Sequence, residues 1–343
     1  NSEEYNKLIE EAMKLPITEG YAKYAEAEKL MLEDGYLAPI YQKASAYLEK
    51  DYVSGIVNNS WGADYTYTYA DVDKDDKVLN LATSSDIPTL DLSKATDQQS
   101  FQTANTTMEG LTRVDAEGKV QPGVAESWET SEDGLTWTFK LRKNSTWSNG
   151  TPVTAHDFEY SWKRTLTPET ASEYSYIMAD IVGSSTKEIQ ENGVDGVGVK
   201  ALDDYTLEVK LNRPVAYFAE LVSFQVFFPQ NQAFVESCGD AYGSAADKQL
   251  YNGPFTLTSW KMEDQFTMEK NPNYWDAANV KLNKINTKVV KDTGAEVSLY
   301  EAGQIDRAGL SSDYVDKYKD SKELKTREVA SIFMLQINGG NHK

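Results

Sequence analysis

Thiols and imidazoles are nearly missing from this chain. Its 343 residues hold one cysteine, Cys238, and two histidines, His156 and His342. A single cysteine excludes an internal disulfide, so cysteine usage assigns no compartment. Cys238 reads as a small buried apolar residue rather than a reactive thiol. Neither histidine has a partner at metal-ligand spacing, which leaves zinc without a ligand set. His156 sits inside a helix start and His342 close to the last residue, leaving little for a Ser-His-Asp or Cys-His arrangement. Long apolar runs are absent too: none approaches the ~20 residues that span a bilayer. Positive charge is short, with 34 Lys and Arg against 54 Asp and Glu and a net charge of -20. That balance argues against nucleic acid or anionic membrane surfaces as partners. Gly193, Gly196 and Gly198 do not follow a strand and open a helix, so no phosphate-cradling loop is indicated. Asp71, Asp73 and Asp75 imitate the start of a calcium loop. The imitation fails where Asp76 takes the glycine position and Ala82 the place of the final glutamate. No metal and no cofactor is expected. Acids are so numerous that the sequence does not exclude a glycosidase-like pair.

What is present is mixed α/β patterning. The most informative stretch runs from Ala125 to Trp162. Asp133-Gly134 supplies a hairpin turn, after which Leu135, Trp137, Phe139 and Leu141 alternate with polar residues as in a half-buried strand. Asn149-Gly150 marks a second turn. Thr154, followed three residues later by Asp157, predicts a capped helix that continues through Phe158, Ser161 and Trp162. Trp137, Trp147 and Trp162 read as core. Ser2 with Glu3 and Glu4 predicts a helix up to Pro16, and Thr18 a second one stopped by Gly35. Leu37 to Tyr47 and Val78 to Ala82 read as strands, Gln98 to Gly110 as a helix. Leu207, Val209 and Leu211 alternate again, as do Phe255 and Leu257. No internal repeat is visible.

The Ala125–Trp162 wording, with its Trp-Ser-Asn-Gly turn and TPVTAHDF helix, resembles the signature of the extracytoplasmic solute-binding proteins of peptide ABC importers, the oligopeptide-binding family (family 5). TLDLSKATDQQS from Thr89 and MEGL from Met108 are similar to the family's start. The blocks Val197–Phe218, Tyr251–Trp260, Lys270–Ala277, YEAGQIDRAGL from Tyr300 and SIFMLQIN ending at Asn338 follow in family order. Residues 1–70 resemble instead the family's C-terminal end, here placed ahead of its beginning. The expectation is a permuted chain that keeps the lobe built from both family ends and lacks most of the second lobe. Such a join is feasible because domain termini commonly lie close together.

The resemblance implies an α/β fold: a lobe of the type II periplasmic-binding-protein kind, with a mixed β-sheet and an inserted α+β subdomain. The expected division is a helical remnant at 1–36, C-terminal strands of the main lobe at 37–70 and a junction linker at 71–77. The sheet-bearing lobe follows at 78–108 and 233–343, with the inserted subdomain at 109–232. It implies non-catalytic capture of short peptides and delivery to permease subunits in the membrane, by a monomer outside the cytoplasm, lipidated at the cell surface or periplasmic. In the family a signal sequence, often with a lipidated cysteine, would precede the segment starting near Lys77. Matching residues place the Thr96-Asp97-Gln98 loop, Tyr174, and Asn252 with Gly253 beside the ligand. Phe333 and Met334 fall near the hinge, and Tyr41 on the strand before Lys43, which stands where a relative has an aromatic. Each has a plainer reading: a polar loop, a half-buried aromatic, a turn, an alternating buried strand. Because relatives bind the peptide's amino end on the second lobe, this chain is expected to fold yet bind peptide weakly, and to expose an apolar face. A signalling-peptide receptor or adhesion module on the same fold, or less favourably a hydrolase with an acidic cleft, are the alternatives.

Overall fold

The structure, a computed structural model, describes residues 2–336 apart from 16, 36, 60, 61 and 116. Helices α1 (Glu3–Met13) and α2 (Ile17–Glu33) lead into the long strand β1 (Leu37–Glu49). Strand β2 (Val78–Thr83) and helix α3 (Gln98–Thr107) follow, then the hairpin of β3 (Ala125–Thr130) and β4 (Thr136–Leu141) and helix α4 (Ala155–Leu166). Next come β5 (Val199–Asp203), β6 (Thr206–Lys210), β7 (Phe255–Lys261), β8 (Gln265–Lys270) and β9 (Lys284–Val289). Helix α5 (Thr293–Glu301), β10 (Arg307–Leu310) and β11 (Leu324–Gln336) complete the main elements.

Three sheets carry the fold. One has the order β7-β8-β9-β2, antiparallel except for the parallel β9–β2 pair, in which Ile285 lies opposite Leu79. The second, β5-β6-β4-β3, is antiparallel, and the third sets β1 between β10 and β11. The expected alternation in β4 is real: Trp137, Phe139 and Leu141 are buried, and Leu207 and Val209 of β6 meet them from the neighbouring strand. Gly134 and Gly150 both take positive φ, which their turns require. Trp147 and Trp162 are buried, and each indole N–H finds an acceptor, Asp157 Oδ2 and the Phe227 carbonyl. The Trp-rich signature is therefore packing.

The expected division of the chain meets several structural differences. The sheet formed by residues 125–210 falls inside the segment expected as an insertion. Its core nevertheless runs on without a break into Leu92, Phe101, Ala104, Met108 and Leu250, so neither 108/109 nor 232/233 separates two cores. Residues 71–77, read as a linker, are folded into the lobe. Val72 is fully buried and pairs with Val53, Lys77 bonds Asp71 at 2.9 Å, and Lys74 reaches the buried carboxylate of Asp306 at 3.2 Å. Alternating charges concealed this, because their partners lie up to 232 residues away. Cys238 is half-buried rather than buried. His342 and the Asn338 end of the last block lie outside the described residues.

Helices α1 and α2 pack on each other as a hairpin. Ser2 caps α1 by accepting from the Tyr5 N–H, Gly35 takes positive φ after α2, and Ala12 and Ala27 are buried between them. The hairpin stands at the distal end of the β1–β11 ribbon. Beyond Ala44, where β10 no longer covers β1, that ribbon exposes Ile40, Tyr41, Ile332, Phe333, Met334 and Leu335, each between 44% and 58%. The plain reading of Phe333 and Met334 as an alternating buried strand is thereby corrected: two strands alone have no second layer to bury against.

Candidate binding cleft around helix α3

Helix α3 is the organising element. Asp97 caps it in extended backbone, its carboxylate accepting the Ser100 N–H at 2.8 Å. Thr96 lies exposed just before, and Gln98, also exposed, donates from Nε2 to the Gly62 carbonyl at 2.9 Å. One turn on, Gln102 acts as a strand partner in side-chain form. Its Oε1 accepts from Tyr65 N–H at 2.9 Å and its Nε2 donates to the Tyr65 carbonyl at 2.8 Å. Asn105 adds bonds to the Tyr65 carbonyl and the Thr66 hydroxyl. Amide side chains at helical spacing thus clamp the segment 62–66 across α3.

At the other end of α3, Asn252 and Gly253 close the helix. Asn252 is 1% exposed, accepts the Glu109 N–H at 3.0 Å and donates to the Glu109 carbonyl at 2.9 Å. Gly253 N–H bonds the Thr107 carbonyl, and a Cβ there would lie 2.5 Å from Met108 N. Both residues act on the protein's own backbone. Tyr174 is half-buried on the aromatic side of the helix, edge-on to Phe101 at 5.3 Å and beside Phe224 and Tyr176. The structure therefore brings Thr96, Asp97, Gln98, Tyr174, Asn252 and Gly253 to one helix. Tyr41, Phe333 and Met334 form a separate group on the ribbon, where Tyr41 stacks on Phe333 at 5.3 Å.

Between α3 and the sheet lies an open cavity of about 210 Å³. Its floor is Leu81, Phe266 and Met268, one wall is Gln98, Gln99, Gln102 and Thr106, and the facing wall is Asp64, Tyr65 and Tyr67. Thr83, Ser84 and Ser85 form its lip. Strand β2 is the edge of its sheet. On its outer side Asn80 exchanges bonds with Asp306, its N–H donating to the carboxylate and its carbonyl accepting the Asp306 N–H, both at 2.7 Å. Alternation places the backbone groups of Ala82 on that same outer side, where β2 pairs with no strand among the described residues, and Ser84 and Ser85 follow the strand's end in a bend. The arrangement offers a backbone edge, amide side chains and an aromatic wall around a wet pocket. That is what an extended peptide needs in order to add as a strand while its side chains find tolerant space.

Charge near the cleft is local. Arg307 and Arg327 both lie over the Tyr65 ring, at 4.3 and 5.2 Å, and Arg327 pairs with Asp64 at 3.2 Å. Burial pushes the Tyr67 hydroxyl well above the ordinary tyrosine range, so it stays a neutral donor. No group of three or more His, Cys, Asp or Glu positioned for a metal occurs among the described residues. No helix among them is long and apolar enough to cross a membrane.

Sequence reasoning missed Gln99, Gln102, Ser84, Ser85 and the 64–67 wall. The Gln98–Gln102 spacing was a legible signal for one helix face. The wall was not, since Tyr65 sits 37 positions before its partner.

Comparison with known proteins bears on this geometry. Residues 119–342 match the family described as bacterial extracellular solute-binding proteins, family 5 Middle. The oligopeptide-binding protein OppA of Bacillus subtilis (strain 168) is 38% identical over 249 residues, 71% of this chain and 46% of that protein. The substrate-binding domain of an oligopeptide ABC transporter from Bacillus anthracis str. Ames superposes with a TM-score of 0.71 at 47% identity, covering 73% of this chain and 48% of that one. Listeria monocytogenes OppA bound to peptide gives 0.71 at 41% identity, over 73% and 49%. The chain spans about half the length of these relatives. It belongs to family 5 of the bacterial extracellular solute-binding proteins.

Proposed function

We propose that this chain forms one wall of the peptide site of an ABC importer's solute-binding component. It holds short peptides without chemistry and passes them to membrane permease subunits on the extracytoplasmic side. The observation that carries this reading is the unpaired edge at the end of β2, Ala82 and Thr83, beside the amide face of α3. Peptide main chain would pair with that edge, Gln98 and the ring of Tyr65 would flank alternate side chains, and Tyr174 would contact the ligand only where it extends past the Phe101 side of α3. The relatives named as oligopeptide-binding proteins support it. A second wall, hinged on the β1–β11 ribbon near Tyr41, Phe333 and Met334, would close over the ligand as a population shift. A permuted chain order and a lipid anchor belong to the same proposal.

With one wall only, a peptide loses about half its buried contacts but keeps most of the cost of association. Isothermal titration with a tri- to octapeptide pool tests this, comparing the chain with a version joined to a second family lobe. The expected result is millimolar or weaker binding by the chain and at least hundredfold tighter binding by the two-lobed form. Binding by neither overturns the peptide reading. Equal tight binding by both overturns the need for a second wall.

A further inference from the structure

The cleft between α3 and the sheet has one charged group among its lining side chains, the carboxylate of Asp64. That side chain is 46% exposed. Among the described residues its ionic partner is Arg327 alone, 10% exposed, with Nη2 at 3.2 Å. The same guanidinium donates to the Asp64 and Asn59 carbonyls at 3.4 and 3.5 Å. Arg327 therefore spends its hydrogen bonds on the segment that makes the cleft wall, although it does not itself line the cavity. Arg307, the other cation over the Tyr65 ring, is committed to Glu49 at 3.7 Å. Asp97, just outside the cavity, accepts the Ser100 N–H at the helix end whose dipole offsets a negative charge.

The rest of the cavity is neutral, with Leu81, Phe266 and Met268 below and the amides of Gln98, Gln99 and Gln102 at one side. A charged side chain entering it would shed water and find no free counter-ion, because Asp64 and Arg327 already serve each other. Given the peptide reading of this cleft, we infer that Arg327 sets its specificity. By neutralising Asp64, it reserves the cavity for an uncharged peptide side chain about the size of leucine or glutamine. Arg327 acts through Asp64 and touches no ligand. The wall has other supports: Val57 and Asn58 pair with Thr66 and Tyr65, while Gln102 and Asn105 hold Tyr65 from α3. Without the guanidinium the wall still forms, and it then carries an unpaired carboxylate.

Capped tripeptides, N-acetyl-Ala-X-Ala-amide with X as Leu, Gln, Lys or Glu, carry no terminal charge and differ only at X. Their affinities are measured by NMR titration of the full chain, and circular dichroism melts show that each variant is folded. The parent chain is expected to bind the Leu and Gln peptides about threefold or more tighter than the Lys and Glu peptides. Arg327→Gln is expected to raise the Lys-to-Leu affinity ratio about threefold, and Asp64→Asn the Glu-to-Leu ratio by a similar factor. The double variant returns both ratios to the parent values, and salt at about 0.5 M erases the shifts of the single variants. A merely structural Arg327 would weaken all four peptides alike. Unmoved ratios therefore overturn the proposal, as does equal binding of all four peptides by the parent chain. If Arg327→Gln does not fold, the Glu-to-Leu ratio of Asp64→Asn decides alone. If no capped peptide binds, this inference falls, and the peptide-pool titration of the two-lobed form shows whether the peptide reading falls with it.

Discussion

Gly253 shows how little room the end of α3 leaves. A methyl group there would meet the Met108 backbone nitrogen at 2.5 Å, and nothing flexible stands in the way to yield. Gly253→Ala is expected to cost about 1–3 kcal/mol through overpacking, measured as a lower urea midpoint with unchanged m-value. Glycine at this position reads from sequence as half of an Asn-Gly turn, and the chemistry of that dipeptide hides its tighter constraint. Asn252 is similar. Its residue type was legible as important, but only the fold reveals that both ends of its amide serve the Glu109 backbone. Tyr174 was readable as a half-buried aromatic. Which rings it would meet was not, because Phe101 and Phe224 come from segments far apart in the chain.

At the scale of elements, α4 shows local sequence and tertiary contacts acting together. Asp157 accepts the Thr154 N–H at 2.8 Å, as the Thr-x-x-Asp spacing predicts. It also takes the indole N–H of buried Trp147 at 3.3 Å and the Asn231 amide at 3.2 Å, which no local pattern announces. Asp157→Ala strands four donors, the Thr154 hydroxyl being the fourth, and is expected to destabilise by about 2–4 kcal/mol. Asp157→Asn, which keeps an acceptor oxygen, recovers part of that loss in the same denaturation assay. The β1–β11 ribbon makes the opposite point. Its proximal half, where β11 carries Lys325, Arg327 and Glu328, lies beside β10, and its distal half, where β11 turns apolar at Ile332–Leu335, is left exposed. Sedimentation equilibrium is expected to show concentration-dependent self-association, reduced by the double change Ile332→Thr with Phe333→Ser. A monomer at all concentrations would mean that the bare ribbon is tolerated in water.

For the whole molecule, the excess of acids sets solubility rather than fold. Stability is more sensitive to the few carboxyls that are buried. Burial raises the Glu109 carboxyl above the usual range, against the opposing pull of Arg113 and the hydrogen bonds from Tyr274 and Trp275. Burial likewise raises Asp157. An acid raised in the native state keeps its proton there after the unfolded chain has lost it. The native state then binds more protons, so this contribution is complete below the unfolded pKa and is lost as pH rises through the folded one. Urea midpoints from pH 4 to 7 are expected to fall less steeply in Glu109→Gln than in the parent chain. A steeper fall in the variant would place Glu109 among acids that ionise easily on folding.

Much of this protein was legible before any coordinates. Alternation in β4, the glycine turns, the caps of α1 and α4 and the family wording of 125–162 are all local, governed by interactions within a few residues. They sufficed for the α/β class and for family membership. The tertiary structure decided what depends on distant partners. It folded the charged 71–77 segment onto Asp306, ran one core across the expected domain boundaries, and laid residues 62–66 along α3 to make a cleft. It also turned Asn252 inward and left Phe333 and Met334 exposed. The physical reason is the same in each case. A side chain's local pattern sets which element it enters, whereas its burial and its hydrogen-bond partners are set by whatever the rest of the chain brings against that element.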